Sequence, residues 1–195
     1  LSEAQIIAQL GHKIKSLEGQ LFPDTYLFDK QSSDLELLAR ANRAMLRKLD
    51  AEWTQRAAGL PYKTPEEALV MASIVEKETG READRNLVAA VFVNRLRKGM
   101  MLQTDPTVIY GLGDSFDGNL RKRDLQTDTP YNTYTRFGLP PTPISMPGQA
   151  SLRAALNPAE SEALYFVARG DGSSQFSQTL EEHNNAVNRY QRGGK

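Results

Sequence analysis

Two carboxylates two residues apart close an apolar helical run, Met71-Ala72-Ser73-Ile74-Val75-Glu76-Lys77-Glu78-Thr79. At about 100° per residue, Val70, Met71, Ile74 and Val75 define one face, with Glu78 roughly 20–30° from its centre and Glu76 pointing the opposite way, toward solvent. A carboxyl carried into apolar surroundings has its pKa raised by desolvation, which is what a general acid needs near neutral pH. The same spacing admits a plainer reading, in which Glu78 sits in the fraying last turn and reaches water or pairs with an arginine such as Arg95. Arg95 falls on the apolar side of the next helical stretch. Its stem can lie along the core with the head in water, or its guanidinium can bridge to Glu78.

A second group of chemistry-bearing residues follows in a stretch rich in Gly, Pro, Asp, Asn and Thr: Gln103, Thr104, Asp105, Tyr110, Tyr131, Asn132, Thr133 and Tyr134. Planar amides and carboxylates bond pairs of hydroxyls and aromatic rings stack on pyranose faces, so this set suits a sugar. Asp105-Pro106 and Asn132-Thr133 are equally good turn chemistry. Gly138-Leu139-Pro140-Pro141-Thr142-Pro143 reads as a rigid wall or turn. The two histidines, His12 and His183, are far apart in sequence and cysteine is absent, which excludes thiolate sites, disulfides and thiol nucleophiles and speaks against a catalytic metal. No cofactor motif occurs: there is no phosphate-binding glycine loop and no GxSxG elbow. His183 reads most simply as a residue of a C-terminal helix.

Such residues need a scaffold, and 195 residues with 39% hydrophobic and 25% charged side chains are enough for one well-buried core. The 24 basic and 24 acidic side chains cancel, which argues against a general nucleic-acid binder. No apolar run approaches the length needed to span a bilayer. Helices are predicted over Leu1 to Lys15, from a cap at Ser33 or Asp34 to a stop at Gly59, from the Thr64 cap to about Thr79, over Glu82 to Lys98, over Ala150 to Leu156, and from the Thr179 capping box to about Arg192. Leu164 to Ala168 and Gln175 to Ser177 read as a β-hairpin around Gly170-Asp171-Gly172. Met100 to Gly148 shows no period and reads as a long functional loop region. The expected class is α+β, with a helical arm over residues 1–62 and a mixed catalytic domain over 63–195.

Ala72 to Thr79, then Val91-Phe92-Val93-Asn94-Arg95-Leu96, then Leu102-Gln103-Thr104-Asp105-Pro106-Thr107-Val108-Ile109-Tyr110-Gly111 carry a resemblance to the YceG-like family of endolytic murein transglycosylases. Tyr131-Asn132-Thr133-Tyr134, Gly138-Leu139-Pro140-Pro141, Pro147-Gly148, Leu164 to Ala168, and the early Leu17-Glu18-Gly19 and Phe22-Pro23-Asp24-Thr25-Tyr26 continue it in order. It implies cleavage within peptidoglycan glycan strands between muramic acid and glucosamine, leaving 1,6-anhydro-N-acetylmuramic acid ends. It further implies Glu78, placed directly before Thr79 at a helix end, as catalytic acid, with Glu76 the fallback, and Gln103, Thr104, Asp105, Tyr110, Asn132, Thr133 and Tyr134 as sugar contacts. A membrane anchor and LysM-like segment upstream, a place on the periplasmic side of the inner membrane, and peptidoglycan synthases as partners are expected on the same ground. A muramidase-type hydrolase using Asp105 as second carboxylate, or a glycan-binding module without chemistry, are the alternatives.

Overall fold

The computed structural model describes residues 2–10 and 16–193. The last part of the helix expected over Leu1 to Lys15, and His12 with it, lie outside the described residues. In chain order the helices are α1 (Glu3–Leu10), α2 (Asp34–Thr54), α3 (Pro65–Glu78), α4 (Glu82–Arg97), α5 (Asp105–Leu112), α6 (Lys122–Gln126), α7 (Gln149–Leu156) and α8 (Leu180–Tyr190). The strands β1 (Tyr165–Ala168) and β2 (Ser174–Ser177) pair antiparallel, with Phe166 opposite Phe176.

Several helix starts follow local chemistry. Ser33 caps α2 and Thr179 caps α8, each in a complete capping box with the glutamate three residues on. Thr64 caps α3 alone, and Glu67 three residues on reaches back to the Lys63 N–H rather than to that of the cap. Gly99, with φ +63°, follows α4 as a left-handed residue that only glycine adopts without strain. Helix α2 ends at Thr54, short of the expected stop at Gly59.

The centre is α7. Its Leu152, Ala154, Ala155 and Leu156 are fully buried, and the small alanines let α3, α4 and α2 close around it. Helices α3 and α4 are buried nearly all round: every residue from Ala68 to Val75, and from Val88 to Val93, is shielded. This corrects the reading of α3 as a two-faced helix, since a helix apolar on all sides belongs in the middle of a core. Phe22, Met45, Leu49 and Tyr62 share that core with α3 and α7, so packing runs without a gap across the boundary expected at residue 62. The hairpin is pinned by Phe166, whose ring meets Phe92 edge-on at 5.9 Å and Phe176 at 6.0 Å, while α8 packs across both strands.

The region read as loop holds two α-helices, with a single 3-10 turn at Gly113–Ser115 between them. Helix α5 starts at Asp105-Pro106, a proline in the first turn, and spans 8 residues, too short for a period to show. Gly111 on α5 faces the 129–131 segment so closely that a Cβ there would lie 2.6 Å from Thr129 Oγ1.

Candidate active site

Glu78 is the last residue of α3, and Thr79 leaves the helix in extended conformation. The Thr79 hydroxyl serves the turn, accepting from the Arg81 N–H at 3.1 Å. Released from the core at that point, the partly buried Glu78 carboxyl stands at one wall of a cleft of about 650 Å³ between the α3–α4 hairpin, the 102–105 segment, the β-hairpin and α8. Burial pushes its pKa above the ordinary carboxylate value, and nearby Asp105 adds to the rise. A hydrogen bond from Thr104 works against both.

That bond is short and direct: Thr104 Oγ1 donates to Glu78 Oε2 at 2.6 Å. Thr104 itself is buried and held on its backbone by two further threonines. Its N–H donates to Thr133 Oγ1 at 3.1 Å, and its carbonyl accepts from Thr107 Oγ1 at 2.7 Å. The two hydroxyls of Thr107 and Thr133 are 2.8 Å apart. Thr104 and Thr133, expected as sugar contacts, therefore lie beneath the carboxylate, where the chain's own bonds occupy them.

The neighbours of Thr104 point the other way. Gln103 and Asp105 are exposed and line the cleft with Glu78. Gln103 has φ +53°, the one positive φ outside glycine among the described residues, a conformation that costs a non-glycine residue of order 1 kcal/mol. Asp105 Oδ1 accepts from the Tyr134 hydroxyl at 2.6 Å, and burial together with that bond raises the Tyr134 pKa strongly. Tyr134 lines the cleft as well.

Asn132 and Tyr110 sit elsewhere. Asn132 is fully buried. Its amide donates to the carbonyls of Asp124, Leu125 and Thr127, and its oxygen accepts from the Tyr134 N–H at 2.8 Å. Every polar atom of the side chain is thus spent on fixing the 124–134 turn rather than offered to the cleft. Tyr110 packs edge-on against Tyr131 with centroids 4.8 Å apart, outside the cleft lining. Both rings are framework of α5 and its adjoining segment.

Arg95 departs from both readings of the sequence. It is buried, its head is bonded to the chain's own oxygens, and it makes no bridge to Glu78. Nε donates to the Leu164 carbonyl at 2.7 Å. Nη1 lies 3.0 and 3.1 Å from the carbonyls of Met101 and Leu102, and 3.1 Å from Gln103 Oε1. The guanidinium, 5.0 Å from the centre of the Tyr165 ring, braces three sides of the cleft. The fork of donors makes this possible, whereas an ammonium is a point charge.

Glu76, expected to be solvated, is partly buried, and its Oε2 accepts from the Gly148 N–H at 3.0 Å at the start of α7. His183 enters the cleft, stacked on Tyr165 with centroids 5.2 Å apart and planes at 25°. Burial and the nearby Arg95 charge lower its pKa, favouring the neutral ring. The signal lay in α8 and its C-cap, where Leu180, His183, Val187 and Gln191 recur at helical spacing and all line the cleft. Among the described residues, no three His, Asp or Glu side chains gather as metal ligands would.

The family model for the YceG-like family matches residues 1–189. The chain belongs to that family. An endolytic murein transglycosylase of Bacillus subtilis is 43% identical over 176 residues, covering 89% of this chain and 48% of that protein. One of Streptococcus pneumoniae (strain D39) is 35% identical over 178 residues, covering 88% of this chain and 32% of that protein. The 2.6 Å crystal structure of the yceG-like protein lmo1499 of Listeria monocytogenes superposes with a TM-score of 0.77 at 41% identity, over 93% of this chain and 62% of that one. The chain spans half or less of the length of the curated relatives it matches.

Proposed function

We propose that this YceG-like chain cleaves peptidoglycan glycan strands internally as a lytic transglycosylase, with Glu78 as its single acid and base. The supporting observation is one carboxyl, raised in pKa by burial, set in a cleft beside a carboxylate already engaged by a tyrosine. In the first step, protonated Glu78 gives its proton to the glycosidic oxygen between muramic acid and glucosamine. The bond to the anomeric carbon breaks with its electron pair on that oxygen, and positive charge develops at the carbon. In the second, the C6 hydroxyl of the same muramic acid attacks the anomeric carbon and passes its proton to the Glu78 carboxylate. The 1,6-anhydro ring closes, no water is consumed, and Glu78 is returned protonated.

Gln103, Asp105, Tyr134 and Tyr165 surround the carboxyl and supply hydrogen bonds and ring faces for the sugars. The apolar walls, Phe92 and Phe166 among them, limit the water that competes with the C6 hydroxyl. Asp105 in the same cleft keeps one second reading open, a hydrolase with two carboxylates. Mass spectrometry of products from purified peptidoglycan separates the two, since the anhydro product is one water lighter; Glu78→Gln beside wild type should give neither product.

No helix among the described residues is long and apolar enough to cross a membrane. An anchor and LysM-like segment elsewhere in a longer protein, action on the periplasmic side of the inner membrane, and work beside peptidoglycan synthases complete the proposal.

A further inference from the structure

One oxygen of Glu78 accepts from Thr104, whose backbone is held in turn by Thr133 and Thr107 and preceded by the strained Gln103. Thr104 donates to Oε2 at 2.6 Å, while no group among the described residues bonds Oε1. Thr104 cannot drift. Its N–H and carbonyl are taken by Thr133 and Thr107, and the preceding residue is locked at φ +53° with its N–H on the Thr133 carbonyl at 3.1 Å and its side chain on Arg95. A donor fixed against one carboxyl oxygen makes that oxygen the acceptor of the neutral carboxyl, and the proton resides on the other.

We propose that Thr104 is the positioning residue for Glu78, holding Oε2 as the proton-free oxygen so that the transferable proton sits on Oε1, toward the cleft. The inference rests on the glycan-cleaving reading above and deepens it. In the first step the hydroxyl keeps the donor oxygen aimed at the glycosidic link. After the proton has left, the same bond stabilises the carboxylate until the C6 proton arrives. The other titratable groups lining the cleft around Glu78 are Asp105 and Tyr134 beside it, Arg95 from α4, Tyr165 from β1 and His183 from α8. None of them replaces the Thr104 bond, because none is bonded to the carboxyl. The exposed flanks, Gln103 and Asp105, are left to meet the sugar.

The test uses Thr104→Val and Thr104→Ala, which remove the hydroxyl, and Thr104→Ser, which keeps it. With purified glycan strands, Thr104→Val is expected to lower kcat about tenfold to a hundredfold, as misaiming a reacting group does, with KM within about twofold. The alkaline limb of kcat/KM should move to higher pH, since the lost bond was lowering the Glu78 pKa. Thr104→Ser should restore both. A loss that Thr104→Ser does not repair, or that appears in KM alone, overturns the proposal. If Thr104→Val does not fold, Thr104→Ala carries the same expectation.

A second arm needs no substrate: the Glu78 carboxyl is followed by 13C NMR in glutamate-labelled protein, assigned by its disappearance in Glu78→Gln. It should titrate at higher pH in Thr104→Val or Thr104→Ala than in wild type or Thr104→Ser. Identical titration in all of them sinks the proposal whatever the rates do. If wild type cleaves no glycan strand, the glycan reading falls instead, and the titration alone decides the role of Thr104.

Discussion

Glu76 Oε2 accepts the backbone N–H of Gly148 at 3.0 Å, across 72 residues of chain. The bond ties the last turns of α3 to the first turn of α7, the helix at the centre of the core. Two turns of chemistry thus follow from two carboxylates two positions apart: Glu76 satisfies an unpaired donor at a helix start, and Glu78 is left for the cleft.

Replacing Glu76 by Ala should therefore destabilise the protein by about 1–2 kcal/mol, the usual cost of losing such a cap, as read from urea denaturation. Glu76→Gln retains an acceptor oxygen and should cost less. In both variants the turnover of the folded protein should stay near wild type. Loss of turnover in Glu76→Gln with a normal melt would shift the catalytic assignment from Glu78 to Glu76.

Glu78→Gln should abolish turnover while leaving the fold intact and somewhat more stable near neutral pH. The sign follows from linkage. A carboxyl with its folded pKa raised binds its proton more tightly folded than unfolded, so stability falls as pH rises from the unfolded value of 4.5 through the folded one. The amide has no charge to desolvate and should flatten that part of the stability profile. Thermal melts of both proteins across this window test it. A wild-type profile that rises where the Glu78→Gln profile is flat would mean that the carboxylate is stabilised by its site.

Asp105→Asn offers a test of opposite sign to that for Thr104. Asp105 raises the Glu78 pKa, so its neutralisation should move the alkaline limb of kcat/KM to lower pH, while the amide oxygen still accepts from Tyr134. The product should remain the anhydro sugar. Abolished cleavage with Glu78 titrating normally would favour the two-carboxylate hydrolase.

Asn132→Ala should lower stability by about 1–2 kcal/mol, because it removes the partner of the part-buried carbonyls at 124 and 125, of the carbonyl at 127 and of the Tyr134 N–H. Denaturant melts report the loss directly. If stability is unchanged and only glycan affinity falls, Asn132 contacts the sugar and the turn it organises is self-sufficient.

The sequence by itself determined the elements whose signals are local. Ser33, Thr64 and Thr179 mark helix starts because a side-chain oxygen two or three residues from an unpaired N–H needs no distant partner. The β-hairpin and the carboxyl at the end of α3 were legible for the same reason. Helix α5 was not, since 8 residues carry too little period to stand out from turn chemistry. What only the tertiary structure decided is which polar groups are free. Gln103, Thr104 and Asp105 are consecutive and similar in chemistry, yet packing against α3 and the 132–134 segment buries the middle one under Glu78 and leaves its neighbours exposed. Asn132 and Arg95 were drawn inward by carbonyls whose positions depend on segments up to 69 residues away, and His183 was brought to the cleft by the packing of α8 on the hairpin. Hydrogen-bond satisfaction inside a core is a property of the assembled fold, because each buried donor takes whatever acceptor the packing brings within about 3 Å.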